Sequence, residues 1–309
     1  MIENIINKKK TDRNVYFGKK KEEWLKIGFL VSMFVVPVLN FLIFYVYVNI
    51  DGFLISFQKP NGSFTLDNFR WVFNEFKSEN SIMQEALTNT LIFFFTGFIV
   101  CRAITLLLAY FFYKKVRGYK FFRVLYYVPD ILSSVVMTSV FEGFIGPCGP
   151  VYQLLYEWTG VQYEFLFDSR YAMGTMLFYG IWLCFGAGTI MMSASMSRIP
   201  QEVMESALLD GANTWQELIY MIIPLIWPTL STMMITGLAG VFGADWGVLL
   251  FTQGKFGTYT ISYWMYEQVH VYKSLYHASA LGQIYTLIAI PIVFGGKYII
   301  ERYIENVEY

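Results

Sequence analysis

Six stretches of this chain, at about 27–50, 88–113, 122–146, 171–196, 219–243 and 280–300, stay apolar for roughly the 20 residues a helix needs to cross hydrocarbon. A backbone entering lipid must satisfy its own N–H and C=O groups, which leaves helices or a closed barrel. The runs are too long for barrel strands of about 9–11 residues. The pattern predicts an all-α, polytopic membrane protein with six transmembrane helices. Composition agrees, with 56% hydrophobic and only 15% charged residues against about 25% charged in soluble domains. Net charge is zero, so no nucleic-acid partner is implied and the bilayer is the expected surrounding.

Basic residues set the predicted orientation. Lys8, Lys9, Lys10, Arg13, Lys19, Lys20, Lys21 and Lys26 precede the first run, and Lys114, Lys115, Arg117, Lys120 and Arg123 separate the second from the third. With Arg198, Lys297 and Arg302 these make sixteen on one side, against six on the other. The basic side is read as cytoplasmic, with both termini there. The predicted organisation is an N-terminal arm over 1–26, a single membrane domain over 27–303 and a tail over 304–309. The arm is long and charged, unlike a cleaved signal peptide, and the first helix reads as an addition to a five-helix core. The outer loops, about 51–87, 147–170 and 244–279, have room for short helices.

Between the fourth and fifth runs lies a polar island at 199–218. Pro200 pre-sets a first helical turn, 201–209 contain no breaker, and Gly211 suits the left-handed residue that ends a helix. Thr214 and Glu217 have capping-box spacing for a second helix. On the first helix Val203, Met204, Ala207 and Leu208 share one face, and Glu202, Glu205, Ser206 and Leu209 another. Local physics alone allows an ordinary cytoplasmic hairpin or a socket for another protein.

Glu205, Ala207, Gly211 and Pro224, at their spacing, resemble the EAA loop of binding-protein-dependent ABC importer permeases, most closely the sugar-importer branch. Ser206, Met221 and Ile223 depart from that pattern with similar size or polarity. The likeness extends through Ser56–Phe57, Asn68–Phe69, Asn89–Thr90, Arg123 and Pro129. It implies the type I importer fold and a transport subunit in a bacterial plasma membrane rather than an enzyme. Two ATP-binding cassette subunits would carry the ATP and Mg, a second homologous permease would complete the channel, and an extracytoplasmic binding protein would deliver a sugar or oligosaccharide. By the same resemblance Glu205 docks near a basic residue in an ATPase cleft, Gly211 permits the turn, and Pro224 shapes the start of the fifth membrane helix.

The remaining chemistry is sparse. Cys101, Cys148 and Cys184 lack CxxC spacing, and His270 and His277 lack the spacing of a zinc helix, so no metal site is expected. Gly254–Lys255 is followed by Phe256 instead of the Ser or Thr of a phosphate loop. Hydrolysis of ATP therefore falls to a separate polypeptide. Arg102 and Asp130 sit within the second and third runs at depths differing by about 5 Å. Two readings stand for them: a structural ion pair, or a snorkelling Arg102 with Asp130 near the interface. Phe178, Trp182 and Phe185 on one helix face, with Asp245 and Trp246, are substrate-path candidates, and packing is the alternative for any of the aromatic residues. Gly237, Gly240 and Gly243 read as close-packing positions. Other functional readings are import of a polyol, glycerol phosphate or amino acid, and a membrane scaffold without transport.

Overall fold

The computed structural model describes residues 24–78 and 81–303. The basic residues at 8–21 and the tail at 304–309 lie outside the described residues. The chain divides into two compact units, Met1–Thr65 and Leu66–Tyr309, where the sequence predicts one membrane domain. In the first unit, helix α1 (Trp24–Ser56) begins three residues before the predicted boundary and has no buried residue in its apolar window. Such a surface suits lipid. Its middle, Phe41–Tyr47, widens into π-helix, and an isolated bridge pairs Gln58 with Phe64 after it.

The second unit opens with the short helix α2 (Asp67–Lys77) and the long span α3 (Ile82–Tyr113). Ser81 starts α3 by accepting the Met83 N–H at 3.1 Å. Two of the predicted spans are not straight. The third is α4 (Tyr119–Ile131) followed by α5 (Ser134–Ile145) and α6 (Pro150–Thr159), bent by 113° between α4 and the rest. Leu132 and Ser133 adopt extended backbone there, and the Ser133 hydroxyl accepts the Val136 N–H to start a new helix. The fourth span comprises α7 (Ala172–Leu183) and α8 (Ala187–Met196), interrupted at 184–186.

After α9 (Gln201–Leu209), the predicted fifth span is α10 (Thr214–Leu225) and α11 (Trp227–Leu238), bent by 75°. Pro228 lies in the first turn of α11, where a missing N–H breaks no intrahelical bond, so the chain turns at Ile226. Gly240 and Gly243 then lie in successive turns beyond α11, not in a packed helix. Short helices α12 (Val248–Phe251) and α13 (Ile261–His270) precede the last span, α14 (Leu275–Tyr303). Among the described residues four helices are thus long and apolar enough to cross a membrane, or up to six spans if each bent pair counts as one.

Packing follows the small residues. Helix α8 lies along the second half of α3, α11 along α14, and α2 against α14. A Cβ on Gly296 would overlap Leu238, so that glycine sets how closely α14 approaches α11. One apolar cluster joins Ala109, Met192, Met204, Leu218 and Ile222 beneath the α9–α10 hairpin. Another joins Phe93, Phe141, Met176, Tyr179 and Phe251. Asn89 donates to the Gly257 and Tyr259 carbonyls at 3.0 and 2.9 Å, while Thr90 accepts the Ile261 N–H at 3.0 Å. Those two side chains pin the 257–261 loop to α3.

Candidate functional site

The hairpin is built from local signals. Pro200 stands just before α9, Gly211 takes a left-handed φ of 79°, and no neighbouring atom crowds its missing side chain. Backbone geometry, not space, is what requires glycine there. The cap of α10 differs from the predicted Thr214–Glu217 pair. Asn213 is the cap, accepting the N–H groups of Trp215 and Gln216, while the Gln216 side chain accepts the Asn213 N–H. The sequence motif is shifted by one residue because the amide of Asn213 reaches two donors at once.

On α9, Met204 and Ala207 are buried and Val203 is half-buried, whereas Glu202, Glu205, Ser206, Leu208 and Leu209 are exposed. Leu208, expected to face inward, is 59% exposed and Leu209 88%, because the short helix seats only a narrow stripe. A cavity of about 450 Å³ opens beside Glu202, Ser206, Asp210 and Met221. Three carboxylates, Glu202, Glu205 and Asp210, and two exposed leucines form an outward surface suited to an apolar partner edged with basic groups. Pro224 lies within α10, just beyond the π-helical stretch Glu217–Ile222.

That hairpin is fastened by a contact the sequence did not announce. Lys114, at the end of α3, places its Nζ 2.6 Å from Glu217 Oε1 and donates a hydrogen bond to Oε2 at 2.7 Å. Oε1 makes ionic contact without an aligned hydrogen bond. Glu217 is buried, and Leu218 and Ile222 pack beside it in the same cluster as Ala109 and Tyr110. A separation of 103 residues hid the pair.

A second feature is a cavity of about 490 Å³ among α3, α5, α7, α8, α11 and the 244–250 loop. Trp246 covers one wall, over Gly97 and Gly180, and a Cβ on Gly180 would run into its ring. Tyr179, Phe98, Thr105 and Thr138 supply further aromatic and hydroxyl groups. Asp245 also lines it, and its Oδ1 accepts the Val248 N–H at 2.8 Å. Burial raises the Asp245 carboxyl above its ordinary value, opposed by the N–H groups of Val248 and Gly247.

The substrate-path candidates divide. Asp245 and Trp246 line the cavity, whereas Phe178, Trp182 and Phe185 do not. Phe178 is 64% exposed, Trp182 packs with Phe141 and Tyr179, and Phe185 meets Tyr126 edge-on. Helix α7 instead turns Tyr179, Gly180 and Leu183 inward, a face offset by one residue from the predicted one. Gly237, read as a packing position, lines the cavity too.

Arg102 and Asp130 are drawn to the same break between α7 and α8 but form no ion pair within contact distance among the described residues. Asp130 has its carboxylate against Gly186, where any Cβ would overlap it. Arg102 faces Gly188 and Gly237 at the cavity wall. The Asp130 carboxylate lies against Gly186 while the Arg102 guanidinium lies against Gly188 and Gly237, so similar depth does not bring the two into ion-pair distance. No cluster of His, Cys, Asp and Glu among the described residues could hold a metal ion.

A family model for the binding-protein-dependent transport system inner membrane component matches residues 102–305, which takes in the hairpin and most of the cavity lining. A probable ABC transporter permease protein of Pyrococcus horikoshii is 30% identical over 190 residues, covering 60% of this chain and 65% of that protein. The arabinooligosaccharides transport system permease protein of Bacillus subtilis is 26% identical over 289 residues, covering 91% of this chain and 88% of that one. A crystal structure of a bacterial ABC transporter involved in the import of the acidic polysaccharide alginate has the same fold. Its TM-score is 0.78 at 24% identity, over 92% of this chain and 97% of that chain. With bent and straight spans, an exposed hairpin at the motif spacing and a family match over well more than half its length, the chain belongs to the inner-membrane permease components of binding-protein-dependent transport systems.

Proposed function

We propose that this permease carries a sugar or oligosaccharide across a bacterial plasma membrane by alternating access, with both termini in the cytoplasm. A binding protein on the outer side delivers the sugar, and a second homologous permease lies alongside. Two separate ATPase subunits supply ATP and Mg chemistry. The α9–α10 hairpin is the coupling element: Glu205 meets a basic group in the ATPase, Ala207 seats the helix, Gly211 makes the turn, and Pro224 shapes the helix that follows. Closing of the ATPase pair moves the hairpin, and the fastened spans convert that motion into opening of the cavity.

The observation that carries the sugar reading is the 490 Å³ cavity faced by Trp246, Tyr179 and hydroxyl side chains. Aromatic faces suit the apolar side of a sugar ring, and hydroxyls suit its edges. The cavity's size and the arabinooligosaccharides carried by the system of the similar Bacillus subtilis permease support the same class. Uptake of labelled saccharides, polyols and amino acids by cells with and without this chain tests the reading. Loss of saccharide uptake alone is expected on deletion. Loss of polyol or amino-acid uptake with saccharide uptake intact would overturn it.

A further inference from the structure

We propose that Arg102 recognises an oxyanion on the transported sugar, and that the cargo is an acidic saccharide whose carboxylate pairs with this guanidinium inside the cavity. The inference rests on the sugar-import reading and deepens it.

Arg102 lies 11 residues from the end of α3 at Tyr113, a depth of about 16 Å along the axis. That is too far for its head to reach the interface by snorkelling. A cation at mid-span is costly, and such residues normally pair or line a pathway. No carboxylate comes within ion-pair distance of Arg102 among the described residues. Its Nε is buried and has no hydrogen-bond partner among them. The cavity holds just one other charged residue, Asp245, whose Oδ1 is engaged by the Val248 N–H.

The space around the guanidinium is kept open by glycine. The Cβ position of Gly237 lies 3.4 Å from Arg102 Nη2, and that of Gly188 lies 3.9 Å from Nη1. A larger residue at either place would fill the approach to the fork. A neutral sugar needs only hydroxyl and amide partners, which Gln or Asn would provide without burying a charge. A planar guanidinium instead matches two carboxylate oxygens at once, and charge-assisted bonds are roughly twice as strong as neutral ones. The aromatic wall at Trp246 and the cation at Arg102 together fit a ring that carries an acid group.

Binding to the cavity is read directly. The complete importer, with its partner subunits in nanodiscs, is incubated with radiolabelled glucuronate or glucose, and bound label is counted by scintillation proximity, with phosphorylated glucose as a competitor. Glucuronate should bind several-fold more tightly than glucose, Arg102→Met should abolish that difference, and Arg102→Lys should retain part of it. Equal or tighter binding of glucose, or full binding of glucuronate in Arg102→Met, would overturn the proposal. Competition by phosphorylated glucose with no binding of glucuronate would reassign the oxyanion and overturn the carboxylate class. If Arg102→Met does not assemble, the parent and Arg102→Lys decide between charge and fork. Cellular uptake separates the two levels of failure. Import of acidic saccharides undiminished in an Arg102 variant sinks the acidic cargo alone, whereas import of no saccharide by the parent sinks the sugar reading beneath it.

Discussion

Replacing Lys114 by Met would leave the apolar stem in place and strand the Glu217 carboxylate. The lysine side chain is 33% exposed and the glutamate side chain 4%, so the carboxylate has little access to water once its partner is gone. Removing one member of a buried pair costs about 3–5 kcal/mol, and the partial exposure of Lys114 puts the expected loss near the lower end, about 3 kcal/mol. At about 2 °C per kcal/mol for a large domain, the melting temperature should fall by about 6 °C. The double variant Lys114→Met/Glu217→Leu removes both charges and should recover most of that loss, since well-packed apolar residues replace buried pairs at little net cost. The assay is thermal unfolding of the purified importer in one fixed lipid and detergent mixture, with parent, both singles and the double melted side by side. A double variant that melts as low as Lys114→Met would refute the stranded-charge argument and make the pair incidental to stability.

Glu205→Lys reverses the charge on the exposed face of α9, and Gly211→Val places a β-branched residue at a φ of 79°, a strain of about 1–2 kcal/mol. Both should insert normally yet co-purify with less ATPase; unchanged retention and unchanged substrate-stimulated hydrolysis in both would remove 199–218 from the coupling role. Asn213→Ala forfeits two capping bonds and should lower stability by about 1 kcal/mol, read as a small fall in melting temperature that Asn213→Asp does not share. Trp246→Ala opens the cavity wall and should reduce saccharide uptake while basal hydrolysis persists; normal uptake would exclude that wall from the path. Because burial raises the Asp245 carboxyl, its contribution is fully present below the ordinary carboxylate range and is lost as pH rises through the raised value. Asp245→Asn should flatten that part of the stability profile, and an unchanged slope would show the shift to be unimportant.

The hairpin was legible because its signals are local: a breaker-free stretch over 201–209, a glycine that must turn left-handed, and a polar cluster before α10. Even its error, Thr214 for Asn213, is a one-residue choice between adjacent capping side chains. The bends were not legible, since hydropathy counts apolar residues without regard to direction. Ser133 and Pro228 acquire their meaning only where a new helix starts inside an apolar run. The cavity was half legible. Asp245 and Trp246 stand out as polar and aromatic groups after an apolar run, but the inward face of α7 is fixed by Gly180 yielding to Trp246, a contact across 66 residues that no periodicity reveals. Depth left the Arg102–Asp130 pair as one of two readings because it does not say which way a side chain turns: Asp130 meets Gly186, and Arg102 turns to Gly188 and Gly237.

Helix α3 is held at both ends. Asn89 and Thr90 bind it to the 257–261 loop, and Lys114 binds it to the foot of the hairpin. The 32 residues of this helix make a rod about 48 Å long. A force that tilts the loop must therefore swing the far end of the same rod against Glu217, and a pull on the hairpin must return to the loop by the same route. Hydrogen bonds along a helix resist stretching far better than they resist bending, so its weak point is the π-helical segment Thr96–Cys101 at mid-length. That segment ends immediately before Arg102, so any flexing of the rod would be felt first at the cavity wall.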